Sequence, residues 1–185
     1  MTAPHELTTA RLLLRSIASD DVPAITRLAA AREIAATTLR IPHPYRDEDA
    51  QTFLTAAEEE YAAGRSISFA AVLLSTGEVC GAIGLHKAEV HNHAELGYWI
   101  GVPYWGNGYA TEAARAVIAF GFEDLLLHRI FAQVFAGNIS SQRVLEKLGM
   151  RHEGRFRQHV RKWDRFIDVE NYALLADDFR RGKSL

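Results

Sequence analysis

Between residues 66 and 125 the spacing of apolar residues switches from strand-like to helical, and that switch dictates the kind of sheet the chain can build. Three runs, SISFAAVLL (66–74), EVCGAIGLH (78–86) and AELGYWIG (94–101), are short, apolar and bounded by turn residues. Ser-Thr-Gly at 75–77 joins the first two as a hairpin, and HNH at 91–93 is a turn before the third. Beyond Val102 and Pro103 the period changes. Ala110, Ala114, Val117, Ile118, Gly121 and Leu125 fall on one helical face. RIFAQVFAG (129–137) returns to strand. Hairpins give antiparallel neighbours, whereas a helix between two strands gives a parallel pair. The expected architecture is α/β (α+β), a mixed, mostly antiparallel sheet with one right-handed βαβ crossover over residues 94–137.

The flanking segments extend this core. RLLLRSI (11–17) reads as a first strand, and Ser19 and Asp20 precede a helix in VPAITRLAAAR. In IPHPYRDEDA (41–50) two prolines prevent a continuous helix, and Asp47 is placed to cap the next one. That helix runs to Ala63 with Phe53, Leu54 and Ala57 inward and stops at Gly64. SSQRVLEKLG (140–149) is a short helix, and the tail holds at least two further strands up to Leu175. No linker, repeat or low-complexity tract divides the 185 residues, so a single domain over 1–185 is expected.

A formal net charge of −2 gives no reason to expect nucleic-acid or membrane binding. The cations cluster locally in RHEGRFRQHVRKWDR (151–165), which reads first as a solvated face. The single cysteine, Cys80, excludes an intramolecular disulfide, and no apolar run approaches the roughly 20 residues of a membrane span. The N-terminal MTAPHELTTARLLL lacks the pattern of a signal peptide. A cytoplasmic protein is expected.

The strand-to-helix turn YWGNGYATEA (104–113) is where chemistry is most concentrated. The first N–H groups of a helix have no intrahelical acceptor and lie at the positive end of its dipole, a ready seat for phosphate. Gly106 and Gly108 can wrap around an anion without Cβ interference. The same glycines also suit a plain connector. A Rossmann loop is disfavoured, because Thr111 stands at the third glycine position, and no Walker-type lysine is present.

AELGYWIGVPYWGNGYATEA followed by GNISSQRVLEKLGM resembles the GNAT superfamily of acetyl-CoA-dependent N-acetyltransferases, in its RimJ/RimL-like branch. Trp105–Ala110 fits the family's [QR]-x-x-G-x-[GA] loop at Gly108 and Ala110, with Trp105 at the Gln/Arg position. TARLLLRSIASDD, IPHPYRDEDA and WDRFIDVENYALL are also similar to this branch, so the resemblance spans nearly the whole chain. It implies a GNAT-like sheet of about seven strands with helices on both faces. It implies that backbone amides of Gly106, Asn107, Gly108, Tyr109, Ala110 and Thr111 surround the diphosphate of acetyl-CoA. The pantetheine arm would lie as a short strand beside Ile100, Gly101 and Val102, where a free N–H would polarise the acetyl carbonyl. Glu95 is the candidate general base, sharing a strand face with Gly97 and Trp99. Equally it fits a solvated strand carboxylate. Asn138 and Ser141 match N-x-x-S, with Asn138 on the pantetheine arm and Ser141 at the sulfur. Ser140, Ser141 and Asn138 also suit a helix cap. Many family members use a tyrosine as the acid, and none can be assigned to that role here.

The resulting expectation is direct transfer of acetyl from acetyl-CoA to a primary amine in a ternary complex. The acceptor would be a protein N-terminus, ribosomal proteins included, or a small amine. The alternatives are a non-catalytic acyl-CoA-binding module and, less in keeping with the charge, a nucleic-acid-associated protein. No metal, nucleic-acid or membrane partner is expected, and a homodimer is compatible with the resemblance. His91 and His93 lack the further ligands of a metal site. Cys80 reads as core, and Trp99, Trp105 and Trp163 as packing residues before cleft residues.

Overall fold

The computed structural model describes residues 5–88 and 90–183. In chain order the strands and helices are β1 (Leu7–Thr8), β2 (Leu12–Ser16), α1 (Val22–Ala29), α2 (Arg32–Thr37), α3 (Asp47–Ala62), β3 (Ser66–Leu73), β4 (Val79–Ala88), β5 (His93–Ile100), α4 (Tyr109–Glu123), β6 (Arg129–Phe135), α5 (Ile139–Lys147), β7 (Arg151–Lys162), β8 (Arg165–Leu175) and α6 (Ala176–Lys183). The strands form one sheet in the order β1-β2-β3-β4-β5-β6-β8-β7. Every neighbouring pair is antiparallel except β5–β6, whose strands are joined through α4. The count is eight against about seven expected. The extra strand, β1, is only two residues long and carries no alternating pattern.

Three local boundaries differ from the expectation. The helix read through VPAITRLAAAR breaks after Ala29, and α2 restarts at Arg32. Asp47 is the first residue of α3 and not its cap. The N-cap is Arg46, whose backbone N–H donates to Asp49 Oδ2 at 2.8 Å. The terminal helix α6 was not foreseen, because ADDFRRGK is too short and too polar to show an apolar stripe.

Strand alternation divides the core into two faces. Ile67, Phe69, Ala71 and Leu73 of β3 join Leu85, Leu96, Val117 and Ile118 beneath α4 and α5. Ala70 and Val72 face the other way, with Val79, against Ile25, Ala29 and Leu54 of α1 and α3. Helices therefore cover both faces.

The feature that positions the site is a split in the sheet. β5 and β6 pair only at His93↔Arg129, Ala94↔Ile130 and Glu95↔Phe131. Beyond these, β5 stays on β4 as far as Ile100↔Gly81, and β6 stays on β8 as far as Phe135↔Val169. The two strands thus diverge towards their C-terminal ends. Backbone groups of Leu96–Ile100 facing β6 have no strand partner there, an internal sheet edge.

Across this opening the long β7–β8 hairpin reaches back to the connection that follows α2. Lys162, only 7 % exposed, donates from Nζ to Leu39 O at 3.1 Å and Ile41 O at 2.6 Å. Arg32 lies over the neighbouring Trp163 ring at 5.6 Å.

Candidate active site

The turn from β5 into α4 is held by its own side chains. Trp105 Nε1 donates to Ile100 O at 2.6 Å, and Asn107 Nδ2 donates to Tyr104 O and Trp105 O, each at 3.1 Å. Gly106 and Gly108 adopt φ of 78° and 80°, the left-handed region that disfavours any side chain. A Cβ at Gly106 would meet nothing within 4 Å, so the glycine is required by backbone conformation and the space above it is open. Gly108 is the N-cap of α4, and the first hydrogen bond into the helix runs from Glu112 N to Gly108 O at 3.1 Å. The N–H groups of Gly108, Tyr109, Ala110 and Thr111 precede it and have no helical acceptor.

A groove runs from this helix end past Thr9, Thr111, Arg115, Ala116 and Lys147. Arg11 flanks it, stacked over the Tyr109 ring at 4.7 Å and bridged to Glu112 at 2.6 Å. Burial by itself would raise the Glu112 pKa. Hydrogen bonds from Thr9 Oγ1 and from the backbone and guanidinium of Arg11 instead hold it below the usual carboxylate range. Helix N–H groups, Arg115 and Lys147 together present positive potential to a phosphorylated ligand. This arrangement can take a phosphorylated ligand at the loop, with Arg115 and Lys147 further along the groove.

At the split, the expected pantetheine seat divides into three environments. Gly101 N donates to Cys80 O at 2.8 Å, so this N–H is taken by β4. Alternation along the strand then turns the N–H and C=O of Ile100 and Tyr98 towards the opening. Ile100 O accepts from Trp105, which leaves the Ile100 N–H and the Tyr98 backbone as the exposed edge. Val102 lies beyond the strand in a single 3-10 turn, Val102–Tyr104.

On the α4 and α5 side, Asn138 caps α5 by accepting from Ser141 N at 3.1 Å through Oδ1. Ser141 Oγ lies 2.7 Å from the Tyr98 hydroxyl. Burial pushes the Tyr98 hydroxyl up to about 12, against the opposing influence of the Ser141 hydrogen bond. Tyr98 therefore stays protonated, a buried hydroxyl beside Ser141 that sequence reasoning did not single out. Its parity was the available signal, since Tyr98 faces opposite Glu95 on a strand whose register was readable.

Glu95 points to the other face of β5, with Gly97 and Trp99. Burial raises its pKa, and Arg40 works against the rise. A Cβ at Gly97 would meet nothing within 4 Å, which leaves a hollow beside the Glu95 carboxylate. Glu95 is therefore not brought together with Ser141. The two lie on opposite faces of one strand, either side of the split.

The remaining candidates are structural. The His91 and His93 rings are 5.5 Å apart, and among the described residues no group of His, Cys, Asp and Glu is arranged to hold a metal ion. Burial pushes the Cys80 thiol up to about 11. Within the basic run, Arg155 bridges Glu170 at 2.5 Å and Arg161 bridges Asp164 at 3.3 Å, while Glu153 pairs with Arg129. Among the described residues no helix is long and apolar enough to cross a membrane.

The family model described as "Acetyltransferase (GNAT) domain" matches residues 11–151. The uncharacterized N-acetyltransferase YnaD of Bacillus subtilis is 31 % identical over 174 residues, covering 94 % of this chain and 98 % of that protein. A GNAT-family acetyltransferase from Bacillus anthracis superposes with a TM-score of 0.84 at 28 % identity, covering 94 % of this chain and 99 % of that one. RimJ of Mycobacterium smegmatis, solved with a coenzyme A disulfide, shares the fold at a TM-score of 0.84 and 23 % identity, over 95 % and 88 % of the two chains. With its split sheet, glycine turn and α4 N-terminus, this chain belongs to the GNAT family of acetyltransferases.

Proposed function

We propose that the enzyme transfers acetyl directly from acetyl-CoA to a primary amine at the split between β5 and β6. The observation that carries this reading is the placement of two proton-handling groups on opposite faces of β5, Glu95 on one and Tyr98 with Ser141 on the other. Direct transfer needs that separation. An amine must lose protons on the acceptor side, while the departing thiolate must gain one on the cofactor side.

In this reading the α4 N–H groups and the glycine turn hold the diphosphate, and the pantetheine amides pair with the open edge at Tyr98 and Ile100. Asn138, whose Oδ1 is occupied by the cap, offers Nδ2 to the same arm. Glu95 takes a proton from the acceptor ammonium in the hollow over Gly97. The free amine then attacks the thioester carbonyl, whose oxygen is polarised by the Ile100 N–H. As the C–S bond breaks, the Tyr98 hydroxyl, oriented by Ser141 Oγ, donates to the sulfur; the second proton of the attacking nitrogen leaves to solvent, and Tyr98 regains one from solvent. The acceptor is a protein N-terminus or a small primary amine.

The test is coenzyme A release across polyamines, aminoglycosides and N-terminal peptides. Glu95→Gln should lower kcat by about 10²- to 10⁴-fold while acetyl-CoA still raises Tm. In the parent, the acid limb of the pH profile should lie above that of an ordinary carboxylate, because the base works only when ionised and burial raises its pKa. Unchanged turnover in Glu95→Gln would remove it from the mechanism. Cofactor binding without turnover on any amine would favour a non-catalytic acyl-CoA module.

A further inference from the structure

The register of β3, β4 and β5 sets Ser66, His86 and Glu95 directly opposite one another in a single row. Residues so paired point to the same face with Cβ atoms about 5 Å apart. Among the described residues none of these three side chains has a hydrogen-bond partner. Ser66 is 1 % exposed and its Oγ is buried without one. Buried polar atoms are nearly always satisfied by protein, ordered water or ligand, so an unsatisfied row beside a hollow is a place where water or substrate belongs. In the adjacent row, Ser68, Gly84 and Gly97, the room lies over Gly97, where a Cβ would meet nothing within 4 Å.

We propose that His86 is a proton-relay residue for acetyl transfer: through one bridging water, held by the unpartnered Ser66 Oγ, it takes from Glu95 the proton removed from the acceptor ammonium and passes it to solvent. This rests on the reading of Glu95 as the base. The atoms balance. The ammonium N–H breaks as a Glu95 O–H forms; that O–H breaks as a His86 N–H forms; the imidazolium then releases its proton to bulk water. Ammonium and thioester yield amide, thiol and one proton, which is the proton exported. The groups around the ring suit the role. Burial and Arg40 hold the His86 pKa below its ordinary value, and Glu60 opposes them, so the ring rests as a neutral acceptor. Glu60 is itself bridged to Arg65 at 2.7 Å, and His93 lies one same-face position before Glu95 along β5. Ser66 is too buried to be a nucleophile towards substrate.

The experiment compares parent, His86→Gln, His86→Ala and Ser66→Ala with one primary amine, measuring kcat against pH, acetyl-CoA thermal shift and response to added imidazole. His86→Gln should keep the thermal shift, lose at least about tenfold in kcat, and move the acid limb to lower pH, because the titrating ring is gone. Added imidazole should restore part of the His86→Ala rate without changing the parent. Acid limbs that superpose on the parent's, with no imidazole rescue, would overturn the relay and leave acetyl transfer standing. A parent inactive on every amine would overturn acetyl transfer and the relay with it. Should His86→Ala fail to fold, the pH profile of His86→Gln still decides.

Discussion

At the residue scale the proposed chemistry depends on which face of β5 each side chain occupies. Glu95 and Tyr98 are three positions apart, so strand alternation puts them on opposite faces. Tyr98→Phe removes the hydroxyl 2.7 Å from Ser141 Oγ and keeps the ring. It should lower kcat about 10- to 100-fold and leave the KM for acetyl-CoA within a few-fold, checked by steady-state kinetics. Glu95 and Ser141 were singled out from the motifs around them. Their separation into two faces was not stated, because nothing local tells which side of the sheet α5 packs on. Tyr98 escaped notice for a related reason. Its partner lies 43 residues away, and only the packing of α5 beneath β5 brings the two hydroxyls together. His86 and Ser66 were invisible for the same cause, since strand register across two hairpins is a tertiary property.

At the element scale the α4 N-terminus and the β7–β8 hairpin make separate predictions. Gly108→Glu places a side chain at φ 80° and a carboxylate among the N–H groups proposed to hold the diphosphate. It should cost about 1–2 kcal/mol of stability and abolish the Tm rise with acetyl-CoA, both read by thermal denaturation. The turn was legible because glycine spacing, strand and helix are all local signals. The hairpin was not. Its basic run was read as a solvated face, and Arg151, Arg155, Arg157, Arg161 and Arg165 are exposed, but Lys162 is buried on two backbone carbonyls 121 and 123 residues earlier. Burial holds the Lys162 pKa below the usual lysine range, and the paired carbonyls compensate for lost water. Lys162→Met should free the 39–41 connection from the hairpin. The expected outcome is an acceptor KM raised several-fold with the acetyl-CoA KM unchanged, and an unaltered acceptor KM would show the tie to be structural only.

At the scale of the whole molecule the sheet is two bodies hinged at three residue pairs, β1 to β5 on one side and β6, β8 and β7 on the other. Its mixed topology was readable from the change in apolar period, since hairpins and one crossover allow few alternatives. The opening beside Ile100 was expected only through the family resemblance, because both strands carry apolar residues throughout and give no sign of where their pairing stops. In the proposed mechanism that opening lets acetyl donor and acceptor approach from opposite faces and meet without an enzyme-bound acetyl group. The most direct measurement is the initial rate of coenzyme A release with acetyl-CoA and one primary amine both varied. Double-reciprocal lines that intersect are the predicted result, since both substrates must be present together. Parallel lines, the signature of an acetylated enzyme intermediate, would contradict direct transfer across the split.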